Sequence, residues 1–376
     1  MTAGGILPLA AGWRENCGSL SDLEHRPRGA GLVKETHEPR RTTATFARHP
    51  SRQGGRAMSI ARYIKDIGRG REGARSLDRE QAYDLMTQVL EGQVSDLEIG
   101  AFAIAMRIKG ESLDELEGFL AATVERCLPV DCPRPAVVLP SYNGARKLPN
   151  LTPLLAQMLA QEGVPVLVHG MAHDPGRVTT AQIFHGLGLP VVHDLAGIEQ
   201  AWRRREPAFI RTEHLCPPLA RLLDARWVIG LRNPAHTVAK LLDPCPPGQA
   251  LRVVNYTHPE YGQTLTQFLQ RTRANALLMR GTEGEPVADP RRTPKMELFL
   301  GGVPQPALGV AAREGVLTEM PLLPRECDAA TTAMYIQSVA SGEKPAPAAL
   351  VQQVECLLQA LEHLPAAALT PHEPAA

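Results

Sequence analysis

The chain has 376 residues, 44% hydrophobic and 21% charged, with 40 basic and 40 acidic side chains. This is enough for one large domain or two with a buried core, and the balanced charge excludes a surface that attracts polyanions everywhere. No apolar run approaches the roughly 20 residues of a membrane-spanning helix, so no such helix is expected.

Residues 1–57 hold nine basic and five acidic groups, leaving 31 and 35 for the remainder, a net of −4. The segment is rich in Arg, Gly, Thr and Pro and has no sustained apolar period, so it cannot fold alone. It reads as an upstream start that is not translated, in preference to a disordered basic arm, because a domain-like stretch opens at Met58. "GGILPLAAG" within it is too short, and lacks the basic flank, for a signal peptide. The seven cysteines are scattered and never spaced CxxC, which suits free thiols in the cytoplasm and neither a disulfide frame nor a zinc site.

Residues 58–130 read as a helical domain with three marked helix starts. Asp78 with Gln81 forms a capping-box pattern before an apolar stripe at Ala82, Leu85, Met86 and Val89, and Gly92 closes that helix. Ser95 with Glu98 precedes "IGAFAIAMRI", which is apolar nearly all round. That is more apolar surface than a three-helix unit buries, so these residues are expected to pair two copies into a homodimer. Ser112 with Glu115 opens a third helix with Leu116, Phe119, Leu120 and Val124 on one face.

From 131 to 365 short β-branched runs alternate with helical stretches. Strands are predicted at 136–139, 164–168, 190–192, 208–211, 251–255, 276–279 and 297–300. Helices are predicted at 151–162, 179–187, 195–205, 217–226, 235–242, 263–273, 328–341 and 347–363. Such alternation implies an α/β domain with a mainly parallel central sheet covered on both faces. Residues 366–376 read as a flexible tail.

The stretch "PSYNGARKLPN", 140–150, lies between the first strand and a helix, where an α/β enzyme places a phosphate loop, yet it holds a single glycine and the adjacent cations Arg146 and Lys147. His169 and His173 are spaced i, i+4, but Gly170 and Pro175 place them in a loop, so no metal site is expected there. "GLGLP" at 186–190 reads as a helix C-cap. Arg203, Arg204 and Arg205 end a helix and suit its dipole, while Cys245 between prolines reads as structural.

The opening helices, "VLVHG" at 166–170 and "RNPAHTVAKLLDP" at 232–244 resemble the anthranilate phosphoribosyltransferase superfamily, glycosyltransferase family 3, over about residues 60–340. "IGRG", "PSYNGARK", "NLTPLLA", "CPPL", "HPEY" and "GTEGE" are more similar still to its YbiB-like branch, regarded as nucleic-acid-binding and without transferase activity. The resemblance implies a phosphoribosyltransferase-like fold and a cytoplasmic homodimer.

Family members grip a diphosphate with a Gly-Thr-Gly-Gly-Asp-Gly loop, where Ser141, Tyr142, Asn143, Gly144, Ala145 and Arg146 stand here. Glycines let backbone N–H groups close on phosphate; only Gly144 remains, and Tyr142 is expected to add bulk where the diphosphate would lie. The family's Lys before His-Gly is Val168, ahead of His169 and Gly170. Its Asp-Glu pair for Mg²⁺ is reduced to Glu285 followed by Pro286, with Glu283 a substitute only if the loop bends differently. The expectation is therefore no catalytic residues, no cofactor and no metal, with DNA or RNA bound through phosphates by Arg146, Lys147, Arg177, Arg226, Arg232 and Lys240. The alternative is an active transferase that uses phosphoribosyl diphosphate and Mg²⁺ with another acceptor. A third use is a sensor site for a phosphate-containing ligand.

Overall fold

The computed structural model describes residues 59–313, 315 and 321–364; the expectations for 1–57 and for the tail lie outside these residues. The described residues open with two short helices, α1 (Ala61–Ile67) and α2 (Gly70–Gly73), then α3 (Arg79–Leu90), α4 (Asp96–Lys109) and α5 (Leu113–Val124). All three predicted capping boxes form: Asp78, Ser95 and Ser112 each accept the N–H three residues on, and the Gln or Glu there accepts the cap N–H in return. α3 and α5 pack at close range because residue 118 is glycine. A Cβ on Gly118 would stand 2.4 Å from the Arg79 carbonyl oxygen. Phe102 and Phe119 meet edge to face with centroids 5.9 Å apart, and the buried Glu115 carboxylate joins Lys109 at 2.6 Å and the Leu77 N–H at 3.0 Å.

The α/β part runs β1 (Ala136–Ser141), α6 (Thr152–Gln161), β2 (Val166–Gly170), α7 (Thr180–Leu187), β3 (Val191–Val192), α8 (Leu195–Arg203) and β4 (Ala208–Arg211). Then follow α9 (Thr212–Leu215), α10 (Pro217–Ile229), α11 (Ala235–Leu241), β5 (Ala250–Tyr256), α12 (Glu260–Arg271), β6 (Ala276–Arg280), β7 (Met296–Leu300) and β8 (Val303–Pro304). Helices α13 (Ala329–Ala340) and α14 (Ala348–Glu362) come last. The sheet order is β3-β4-β2-β1-β5-β6-β7-β8. The first six strands are parallel, and their apolar runs are buried on both faces. β7 pairs antiparallel with β6, and the Gly301–Gly302 turn, with φ of 55° and 78°, reverses the chain tightly so that β8 pairs antiparallel with β7.

Successive strands step one way from β1 to β2 and the other way from β1 to β5. β1 is thus the switch point of the sheet, where open α/β sheets place their ligands. α10, α11 and α12 pack toward α3 and α5, while α6, α7, α13 and α14 cover the opposite face. As expected, "GLGLP" caps a helix, with Gly188 left-handed at φ 69° after α7. Among the described residues no helix is long and apolar enough to cross a membrane.

Candidate functional site

The loop after β1 is held in place by the strands on either side. Ser141 pairs with Gly170 of β2, and a Cβ on Gly170 would fall 1.8 Å from the Ser141 carbonyl oxygen, so the two strand ends touch backbone to backbone. The Tyr142 ring turns into the core, not into the loop. Its hydroxyl donates to Nδ1 of the fully buried His169 at 2.9 Å, and His169 Nε2–H donates to the Leu242 carbonyl at 3.2 Å. Burial lowers the His169 pKa to about 4, so the ring is neutral and this tautomer satisfies both nitrogens. The expected bulk of Tyr142 over the diphosphate position is therefore absent, because the buried His169 gives its hydroxyl a partner inside the core. His173 is exposed.

A carboxylate fills the loop. Glu285 is fully buried, and its Oε1 accepts the N–H groups of Asn143 and Gly144, each at 2.7 Å. Its Oε2 accepts the Ser141 hydroxyl and lies 3.4 Å from the hydroxyls of Thr152 and Thr180. Glu283 does the same one step along the chain. Its Oε1 accepts the N–H groups of Lys147 at 2.8 Å, Leu148 at 2.9 Å and Arg146 at 3.3 Å.

Backbone geometry makes this possible. Glu283 and Gly284 both have positive φ, 54° and 86°, so the turn folds both carboxylates toward the loop. A Cβ on Gly284 would overlap the Asn143 side-chain nitrogen at 1.8 Å, so only glycine fits. The loop bends as Glu283 would need in order to replace the lost partner of Glu285, but both carboxylates are spent on N–H and O–H donors. They do not fit Mg²⁺, which requires carboxylate oxygens facing an open, hydrated position.

The cations gather around this turn. Arg177 donates to the Gly144 carbonyl at 3.0 Å and lies 3.9 Å from Glu283. Arg226 pairs with Asp174 at 3.0 Å and stacks on Trp227 at 4.1 Å from the ring centroid. Arg232 and Lys240 have no ion-pair partner among the described residues; Lys240 Nζ lies beside Gly284. Burial, with Arg232 next, lowers the Lys240 pKa to about 8, and the same causes take His236 to about 3. Arg232 itself is lowered by burial and then by Arg226 and Arg177. Arg232, Lys240 and His236 line a cleft of about 290 Å³, together with Arg107 of α4 and the tyrosines Tyr256 and Tyr261. Arg146 and Lys147 point outward, exposed, beyond the Glu283 contact. Arg107 and the two tyrosines were missed in the sequence reading; the basic last turn of α4 was the one signal available for Arg107.

Comparison with known proteins bears on the fold and the family. Residues 61–127 match the helical bundle domain of the glycosyl transferase family. The anthranilate phosphoribosyltransferase of Thermus thermophilus superposes with a TM-score of 0.55 at 21% identity, covering 80% of this chain and 97% of that one. In sequence, the anthranilate phosphoribosyltransferase of Beijerinckia indica is 28% identical over 198 residues, 52% of this chain and 57% of that protein. The fold is thus that of an anthranilate phosphoribosyltransferase-like protein. Within it, the uncharacterized protein YbiB of Escherichia coli (strain K12) is 42% identical over 309 residues, 81% of this chain and 94% of YbiB. The chain belongs to the YbiB family.

Proposed function

We propose that this protein binds DNA or RNA through phosphate contacts along the cationic cleft and does not transfer phosphoribosyl groups. One observation carries the reading: Glu283 and Glu285 fill the loop donors, beside cations that have no carboxylate partner among the described residues. A diphosphate needs those same N–H groups. A polyanion crossing the mouth of the cleft needs only Arg232 and Lys240, with Arg107 also in the lining and the exposed Arg146 and Lys147 on the loop after β1. Because residues beyond 57 carry a net charge of −4, affinity must come from this local cluster. The same reading pairs two copies through α4, whose Leu97, Ile104 and Ile108 are exposed, so that one strand engages two clefts and gains effective concentration.

The test is titration of labelled DNA and of phosphoribosyl diphosphate with Mg²⁺ against one preparation. Log affinity for duplex DNA should fall linearly with log salt, by about 0.9 per phosphate contact, and unrelated sequences should compete equally. Replacing Arg232 and Lys240 by Ala should lower that slope by roughly one unit per lost contact. Salt-independent binding, or binding indifferent to these substitutions in a folded protein, refutes the reading. Diphosphate release that depends on Mg²⁺ and anthranilate would favour the transferase alternative.

A further inference from the structure

The connector that leaves α5 is stitched to the segment that follows α11. Leu128 N–H donates to the Leu215 carbonyl at 2.7 Å, Val130 N–H to the Pro244 carbonyl at 3.0 Å, and Cys132 N–H to the Gln249 side chain at 3.4 Å. In the middle of this seam Cys132 Sγ lies 3.1 Å from Cys245 Sγ, across 113 residues of sequence, and both side chains are buried. We propose that Cys132 and Cys245 form a disulfide when a peroxide oxidises the protein, locking the helical part against the α11 wall of the cleft. This rests on the seam alone and holds whatever the cleft binds.

The thiols need close by only about 1 Å to reach bonding distance, which side-chain rotation can supply. Pro244 and Pro246 flank Cys245 and fix φ on both sides of it. The chemistry balances in two steps. Peroxide oxygen transfers to one sulfur, giving a sulfenic acid and water. The second thiol then displaces that hydroxyl as a second water, so the two thiols supply the two electrons that reduce the peroxide. Contact with Cys132, burial and the neighbouring Asp243 hold the Cys245 thiol well above its usual range, so the link forms slowly compared with oxidation at an exposed thiolate. Once formed, it closes a long loop and constrains the unfolded chain.

The test is peptide mapping of the full chain after hydrogen peroxide and alkylation, without reductant. The expected product is one peptide pair joined through Cys132 and Cys245, lacking two hydrogens and separated again by dithiothreitol. The melting temperature of the intact oxidised protein should rise by several degrees over the reduced protein. Cys132→Ala and Cys245→Ala should each abolish the link; if either fails to fold, the wild-type map decides alone. Recovery of both cysteines as free thiols or sulfinic acids, or links confined to other cysteines, overturns the proposal.

Discussion

Replacing Glu285 tests the proposed reading of the loop, because that carboxylate occupies the two N–H groups that a phosphate would need. Glu285→Ala strands two backbone donors that now sit 2.7 Å from a side-chain oxygen, together with the Ser141 hydroxyl. Each charged hydrogen bond contributes about 1.5–3 kcal/mol, against which the desolvation cost of a buried carboxylate is relieved, leaving a loss of about 3 kcal/mol. For a chain this long that corresponds to a fall in melting temperature of about 5 °C. Glu285→Gln keeps a carbonyl acceptor for both N–H groups and should cost only about 1 kcal/mol. The assay is calorimetry with phosphate titrated against chloride at matched ionic strength. In the Ala variant the emptied loop should take up phosphate, and a hundredfold excess over its dissociation constant restores about 2.7 kcal/mol, most of the loss. The wild type should not respond. An Ala variant that melts within a degree of wild type, or phosphate that stabilises both alike, would refute the reasoning.

Lys240 carries its charge below about pH 8 and loses it as pH rises through that value; DNA affinity by anisotropy should decline across this window and stay flat in Lys240→Arg. His169 and His236 have folded values of about 4 and about 3, both below the ordinary value near 6.5, so the stability of the neutral rings is full above about 6.5 and is lost as pH falls. For His169 the loss approaches about 3 kcal/mol by pH 4, and urea midpoints should show a shallower decline in His169→Gln. Ile104→Glu with Ile108→Glu should yield monomers by sedimentation velocity at micromolar concentration; a wild type that is already monomeric would remove the α4 pairing.

Most of the fold was legible because it is written locally. The capping boxes at Asp78, Ser95 and Ser112 are matters of three-residue spacing, and the strands announce themselves as buried β-branched runs. The short α1, α2 and α9 carry no cap side chain and escaped notice. That the loop after β1 holds a single glycine was also plain in the sequence. What fills the loop was not, because the inward turn of Glu285 depends on positive φ at Glu283 and Gly284 and on partners 142 residues away. The direction of Tyr142 escaped for a similar reason: its partner His169 belongs to another strand.

The two ends of the sheet limit how this protein can assemble. β3 and β8 are each two residues long, and β8 ends in Pro304, which has no N–H to offer a neighbour. Among the described residues neither margin offers an incoming strand a long row of free backbone groups, which disfavours growth by sheet extension. If copies of this chain pair through the described residues, rows of side chains on helices, not rows of backbone hydrogen bonds, offer them the surface to do so.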